Sequence, residues 1–132
     1  MATPRELFDA FRNYALRSDG DGFATLCTED VVMEFPFLRV RFRGRADVRD
    51  RTALAWHDAR RRIVDFQFVR ITEASESLVA EYDLVGYANH RPFRASVVLL
   101  LETRGGKIAG LREYVEPGAG VGAPADAALV AP

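Results

Sequence analysis

Acidic side chains stand in this sequence where strand periodicity asks for apolar ones. Side chains alternate between the two faces of a strand. In segment 75–88, Leu78, Ala80, Tyr82, Leu84 and Gly86 form one set, and Val79, Glu81, Asp83, Val85 and Tyr87 the other. Segment 93–102 divides into Phe93, Ala95, Val97, Leu99, Leu101 and Arg94, Ser96, Val98, Leu100, Glu102. Segment 108–116 divides into Ile108, Gly110, Arg112, Tyr114, Glu116 and Ala109, Leu111, Glu113, Val115. Hairpins centred on Asn89-His90 and on Gly105 place Asp83 opposite Ser96, and Ser96 opposite Glu113. One face then carries Asp83, Ser96 and Glu113 in a row, with Arg94 and Glu81 one step away. Strands lie about 4.8 Å apart, so the outer pair spans about 10 Å at the backbone and can lean toward a shared water. Burial and mutual repulsion would keep one carboxyl ionised and the other neutral. Asp83 would serve as general base, Glu113 as general acid, and Arg94 would hold the pair's charge. A solvated outer face, or a dimer interface crossed by ion pairs, explains the same pattern. A register slip of one residue dissolves the row.

The elements that must position these residues are readable along the chain. Thr3-Pro4-Arg5-Glu6 is a helix start with a capping box and an early proline. Leu7, Phe8, Phe11, Tyr14 and Ala15 follow at helical spacing. Ser18-Asp19-Gly20-Asp21-Gly22 stops that helix, and 23–27 is expected to form a short second one. Val31 to Phe37 is expected as a strand interrupted at Pro36, with 40–42 as its partner and a third helix over 45–61. Segments 63–71, 75–88, 93–102 and 108–116 are expected as four strands. Helices segregated ahead of strands indicate α+β: helices plugging the hollow of a curved, mostly antiparallel sheet. Residues 1–116 form the domain, and the Pro- and Gly-rich 117–132 is expected as a flexible or surface-lying tail.

Composition narrows the function classes. The chain has 132 residues, 48% hydrophobic and 28% charged, which fits one domain with a real core. Its 18 basic and 19 acidic residues leave a formal charge of -1. That balance lacks the surplus needed to displace counterions from nucleic acid or to hold an anionic membrane. One cysteine, Cys27, rules out an internal disulfide, and no apolar run reaches a bilayer's width. A cytoplasmic protein is the expectation.

Several signals carry no chemistry. Asp19-Gly20-Asp21-Gly22 opens like a calcium loop, but Phe23 and Ala24 occupy the positions that need an oxygen ligand and a glycine. His57, His90 and Cys27 lack metal-ligand spacing. Arg60-Arg61-Arg62, at the expected end of the third helix, suits the helix dipole there. No phosphate-binding glycine loop is present, so neither metal nor organic cofactor is expected.

Together, the element order, Val31-Val32-Met33-Glu34-Phe35-Pro36-Phe37 followed by Gly44-Arg45, and the ending Gly106-Lys107-Ile108-Ala109-Gly110-Leu111-Arg112-Glu113-Tyr114 resemble the nuclear transport factor 2-like superfamily, especially its SnoaL-like members. The resemblance covers about residues 5–116. It implies a cone whose sheet wraps a ligand pocket, and often a homodimer. The superfamily holds isomerases, cyclases, dehydratases, epoxide hydrolases and non-catalytic binders. Matching against ketosteroid isomerases places Phe35, Phe11 and Val98 at the three catalytic positions, none able to move a proton. Matching against limonene epoxide hydrolases places Asp83 and Glu113 at the two catalytic aspartates. It also puts Glu81 where an arginine stands, and Val32 and Glu34 where a tyrosine and an asparagine hold the water.

Three readings follow. The first is an enzyme hydrolysing, isomerising or cyclising an apolar oxygenated metabolite. Its catalytic residues would be Asp83, Glu113 and Arg94, and Glu81, Ser96, Val98, Phe35, Phe11, Trp56 and Tyr87 would line the substrate site. The second is a non-catalytic binder of a small apolar molecule. The third is an interaction module whose sheet makes a homodimer.

Overall fold

A computed structural model describes residues 1–58 and 60–116; the expected tail, 117–132, lies outside the described residues. The elements run α1 (Pro4–Leu16), α2 (Gly20–Thr25), β1 (Cys27–Phe35), a single 3₁₀ turn (Pro36–Leu38), β2 (Val40–Arg43) and α3 (Arg45–Trp56). Four long strands follow: β3 (Arg61–Glu73), β4 (Ser77–Ala88), β5 (Arg91–Arg104) and β6 (Lys107–Val115). They make one six-stranded, curved, unclosed sheet in the order β2-β1-β6-β5-β4-β3. Among the described residues, only β1 and β6 pair in parallel. The α+β cone and the mostly antiparallel sheet are as the sequence predicts.

The capping box forms: Thr3 Oγ1 accepts from Glu6 N at 3.1 Å, and Glu6 Oε1 accepts from Thr3 N at 2.9 Å. Leu7, Phe8, Phe11 and Ala15 are buried and lie over the concave side of the sheet. The second helix differs from expectation. Asp19 Oδ1 accepts from Gly22 N at 2.8 Å, so the acidic turn that ends α1 also caps α2. Cys27 therefore opens β1 rather than closing a helix. α3 is also shorter than expected. It ends at Trp56, so Arg61 and Arg62 enter β3, and the arginine run marks a strand entry rather than a helix end.

The sheet's inner face buries Leu78, Ala80, Tyr82 and Leu84 of β4 with Phe93, Ala95, Val97, Leu99 and Leu101 of β5. Asn89 and His90, at φ 51° and 66°, form a two-residue turn whose positive φ values match strand twist. The ladder that follows pairs Asp83 with Ser96, as expected. The next hairpin departs from expectation. Gly105-Gly106 turns the chain and pairs Arg104 with Lys107. A bulge then pairs Thr103 with Ile108 but Glu102 with Gly110, leaving Ala109 as the extra residue. Leu99, not Ser96, stands opposite Glu113. The offset is an odd number of residues, so it moves Glu113 to the other face of the sheet.

Candidate active site

The expected row of Asp83, Ser96 and Glu113 is therefore divided. Asp83 and Ser96 lie on the convex face with Glu81, Arg94, Val98 and Tyr87. There Arg94 Nη1 donates to Asp83 Oδ2 at 2.9 Å, and Ser96 Oγ donates to Asp83 Oδ1 at 3.3 Å. Glu81, Arg94, Ser96, Val98 and Tyr87 are exposed. None of these six lines the concavity, because their parity on β4 and β5 is opposite to that of the buried residues. The same parity turns Glu113 inward, where Phe11, Phe35 and Trp56 also lie.

Glu113 follows Leu111 on the inner side of β6, and Phe35 follows Met33 on the inner side of β1. Met33 pairs with Leu111, so Phe35 and Glu113 occupy one level of adjacent strands. On β4, Tyr82 pairs with Val97 of β5. Its phenol reaches past β5 and donates to Glu113 Oε1 at 3.4 Å. Phe66 of β3 stacks on the Tyr82 ring at 4.5 Å and 11°, and Phe8 of α1 packs 6.0 Å away. Phe11 holds Phe66 from above at 6.2 Å. Trp56, from the end of α3, meets Phe11 at 6.2 Å and Phe23 at 5.6 Å. Phe35, Trp56, Ile63 and Val115 are partly buried and pack against the same apolar core.

Electrostatics follow from burial. Loss of water raises the Glu113 pKa from 4.5 to about 7. The Tyr82 hydrogen bond and the charge of Arg61, which enters on the inner register opposite Ala88, hold it from rising further. The Tyr82 phenol is pushed well above its ordinary value, first by burial and then by the neighbouring carboxylate. It therefore remains a neutral donor. Glu113 is only partly buried, whereas Tyr82 is enclosed. A carboxyl balanced between its two forms, beside a fixed hydroxyl donor, can take a proton from carbon and return it.

Tyr82 is the functional candidate the strand pattern passed over. The signal was present: it is the one hydroxyl in an otherwise apolar set, and Glu113 is the one acid in another. Elsewhere, an open depression of about 340 Å³ lies between the ends of α1 and α3 and the start of α2. Its acids are committed, Asp19 to the α2 cap and Asp21 to Arg49 at 4.0 Å. Among the described residues no group of His, Cys, Asp or Glu is arranged to hold a metal ion, and no helix is long and apolar enough to cross a membrane.

Comparison with known proteins agrees with this architecture. A candidate isomerase from Bacillus subtilis superposes with a TM-score of 0.77 at 24% identity, covering 86% of each chain. A candidate polyketide cyclase from Pseudomonas putida gives 0.78 at 18% identity, covering 90% of this chain and 96% of that one. An LEH-like epoxide hydrolase from M. tuberculosis gives 0.72 at 18%, covering 86% and 82%. At these identities the likeness is one of fold. No curated protein matches the chain in sequence. The sequence does match the SnoaL-like domain over residues 5–111, most of its length, and the chain belongs to the SnoaL-like domain family.

Proposed function

We propose that this protein is a small-molecule enzyme that moves protons on an apolar, oxygen-containing metabolite held in the cone, in an isomerisation or cyclisation. The observation that carries the reading is the Tyr82–Glu113 contact, with Glu113 raised to about 7 by burial and Tyr82 held by Phe66 and Phe8. The ionised carboxyl would take a proton from the carbon beside a carbonyl. The bonding pair would move onto the carbonyl oxygen, where the Tyr82 hydroxyl would donate to the developing charge. The protonated carboxyl would then deliver its proton to another carbon, or the enolate carbon would add to a second carbonyl of the substrate, whose π pair moves onto its oxygen, and the carboxyl would protonate that alkoxide. Relatives of the same fold named as candidate isomerase and candidate polyketide cyclase support this class.

Epoxide opening by a carboxylate pair is the less favoured chemistry, because Asp83 and Glu113 stand on opposite faces of the sheet. That division favours a second reading, non-catalytic binding of a small apolar molecule on the same concave face. The test is exchange of carbon-bound protons in deuterated buffer, followed by NMR across a panel of uncharged enolisable ketones. Exchange faster than buffer with the wild type, and lost in Glu113→Gln, is expected. Thermal stabilisation by these compounds with no exchange in any of them would replace the enzyme reading with the binding one.

A further inference from the structure

Phe66 carries the ring on which Tyr82 stacks, and its own strand holds it weakly. β3 is the terminal strand of the sheet, with β4 as its neighbour. Its register with β4 shifts twice, between Ile63 and Asp65 and again between Gln67 and Arg70. Asp65, Phe66 and Gln67 are thus a short paired stretch between two bulges. The second bulge turns Phe68 outward, 80% exposed at φ 55°, a left-handed conformation that a bulky aromatic rarely adopts. An edge strand broken on both sides of Phe66 has few ladder bonds to fix that residue.

A side chain from α1 supplies the restraint. Arg12 Nη2 donates to the Phe66 carbonyl oxygen at 2.7 Å and to Asp65 Oδ1 at 3.0 Å. Asp65 Oδ1 also accepts from the Phe66 amide at 2.8 Å. Both polar backbone groups of Phe66 are therefore held by one ion pair. The Arg12 guanidinium carbon lies 5.8 Å from the centre of the Phe66 ring, which stacks on Tyr82 at 4.5 Å. Contacts thus run from Arg12 through Phe66 and Tyr82 to Glu113. The last link is sensitive. At 3.4 Å it is long for an O–H···O hydrogen bond, whose usual length is about 2.7–2.8 Å, so a small further displacement of the phenol ends it.

We propose that Arg12 is a positioning residue: through its ion pair with Asp65 it fixes Phe66, and through the stacked ring it holds the Tyr82 phenol on Glu113. The proposal rests on the Tyr82–Glu113 pair as the reactive site, but its first test needs no turnover. Arg12→Met removes a positive charge and Asp65→Ala a negative one. Charge alone would move the Glu113 titration midpoint up in the first and down in the second. Loss of the Tyr82 hydrogen bond moves it up in both. Carboxyl ¹³C NMR is expected to show a raised midpoint in both variants, with no further rise when either is combined with Tyr82→Phe. The two side chains are 31% and 41% exposed, so both variants are expected to keep the wild-type circular dichroism spectrum. In ketone proton exchange, kcat is expected to fall roughly 10–100-fold with KM within about twofold of wild type. Midpoints that stay fixed, that move in opposite directions, or that rise again on the Tyr82→Phe background would overturn the proposal. A wild type that exchanges no ketone proton would sink the enzyme reading alone, and the titration would still decide the role of Arg12.

Discussion

The phenol of Tyr82, on β4, crosses over β5 to meet the carboxyl of Glu113, on β6, at 3.4 Å. Two strand spacings separate their backbones, about 10 Å, so only a long side chain on the inner register can make the contact. Phe66 fixes the tyrosine ring by stacking, and Phe8 closes it from the helix side. The pair thus joins β4 to β6 across the concave face.

Glu113 makes stability depend on pH. Its pKa is about 7 in the folded chain and near 4.5 in the unfolded one. Between those values the folded state holds a proton that the unfolded state has released, so stability falls as pH rises from about 4.5 to 7 and is then level. The loss is at most about 3–4 kcal/mol, at about 1.4 kcal/mol per unit. Glu113→Gln abolishes this slope. Urea unfolding at pH 5 and pH 8 is expected to give nearly equal midpoints for the variant and a lower midpoint at pH 8 for the wild type.

Tyr82→Phe keeps the stacked ring and removes only the hydroxyl. The inner carboxyl then loses its hydrogen bond, and its pKa moves further up. Carboxyl ¹³C NMR titration of Glu113 is expected to show a higher midpoint than in the wild type. Proton exchange on a ketone substrate is expected to slow by roughly 10²–10³, the usual effect of removing one oxyanion donor. An unchanged rate together with a raised midpoint would assign the phenol to holding Glu113 rather than to meeting substrate.

Much of the fold is legible in the residues because its signals are local. Thr3 and Glu6 cap α1 as their spacing requires, and a two-residue turn at Asn89-His90 fixes the Asp83–Ser96 pairing. The candidate site is less legible because it depends on a bulge. Nothing about Ala109 marks it as the residue that β6 inserts, yet that insertion decides which face receives Glu113. Strand periodicity carries across a sheet only while every ladder stays in step. The β3 bulge exposing Phe68 is equally unmarked. A periodic pattern can identify the acid in an apolar set, but it cannot say which acids on other strands share its side.

The Asp83–Arg94 pair stands at the surface, with its side chains 28% and 51% exposed. Exposed ion pairs contribute under about 1 kcal/mol. Asp83→Asn is therefore expected to shift stability by less than that and to leave ketone proton exchange within about twofold of wild type. A tenfold loss in exchange, with no change in unfolding midpoint, would mean that the convex face communicates with the cone.

Gly86 tests whether the close packing of β3 on β4 sets the position of Arg61. A bulge between Ile63 and Asp65 brings β3 so close to β4 that a Cβ at position 86 would lie 2.0 Å from the Arg62 carbonyl oxygen. Backbone cannot yield there as a flexible side chain would, so alanine must displace β3. Overpacking of this kind costs roughly 1–3 kcal/mol. The displaced segment carries Arg61, whose charge acts on Glu113, and Ile63, which faces the interior. Gly86→Ala is expected to lower the unfolding midpoint and to raise the Glu113 titration midpoint as Arg61 moves away. Gly110→Ala makes a suitable control, since its new methyl would meet only Glu102 at 3.6 Å. It is expected to change neither quantity appreciably. If the Gly86 variant lost stability while the Glu113 midpoint stayed fixed, Arg61 would reach the carboxyl independently of the β3 bulge.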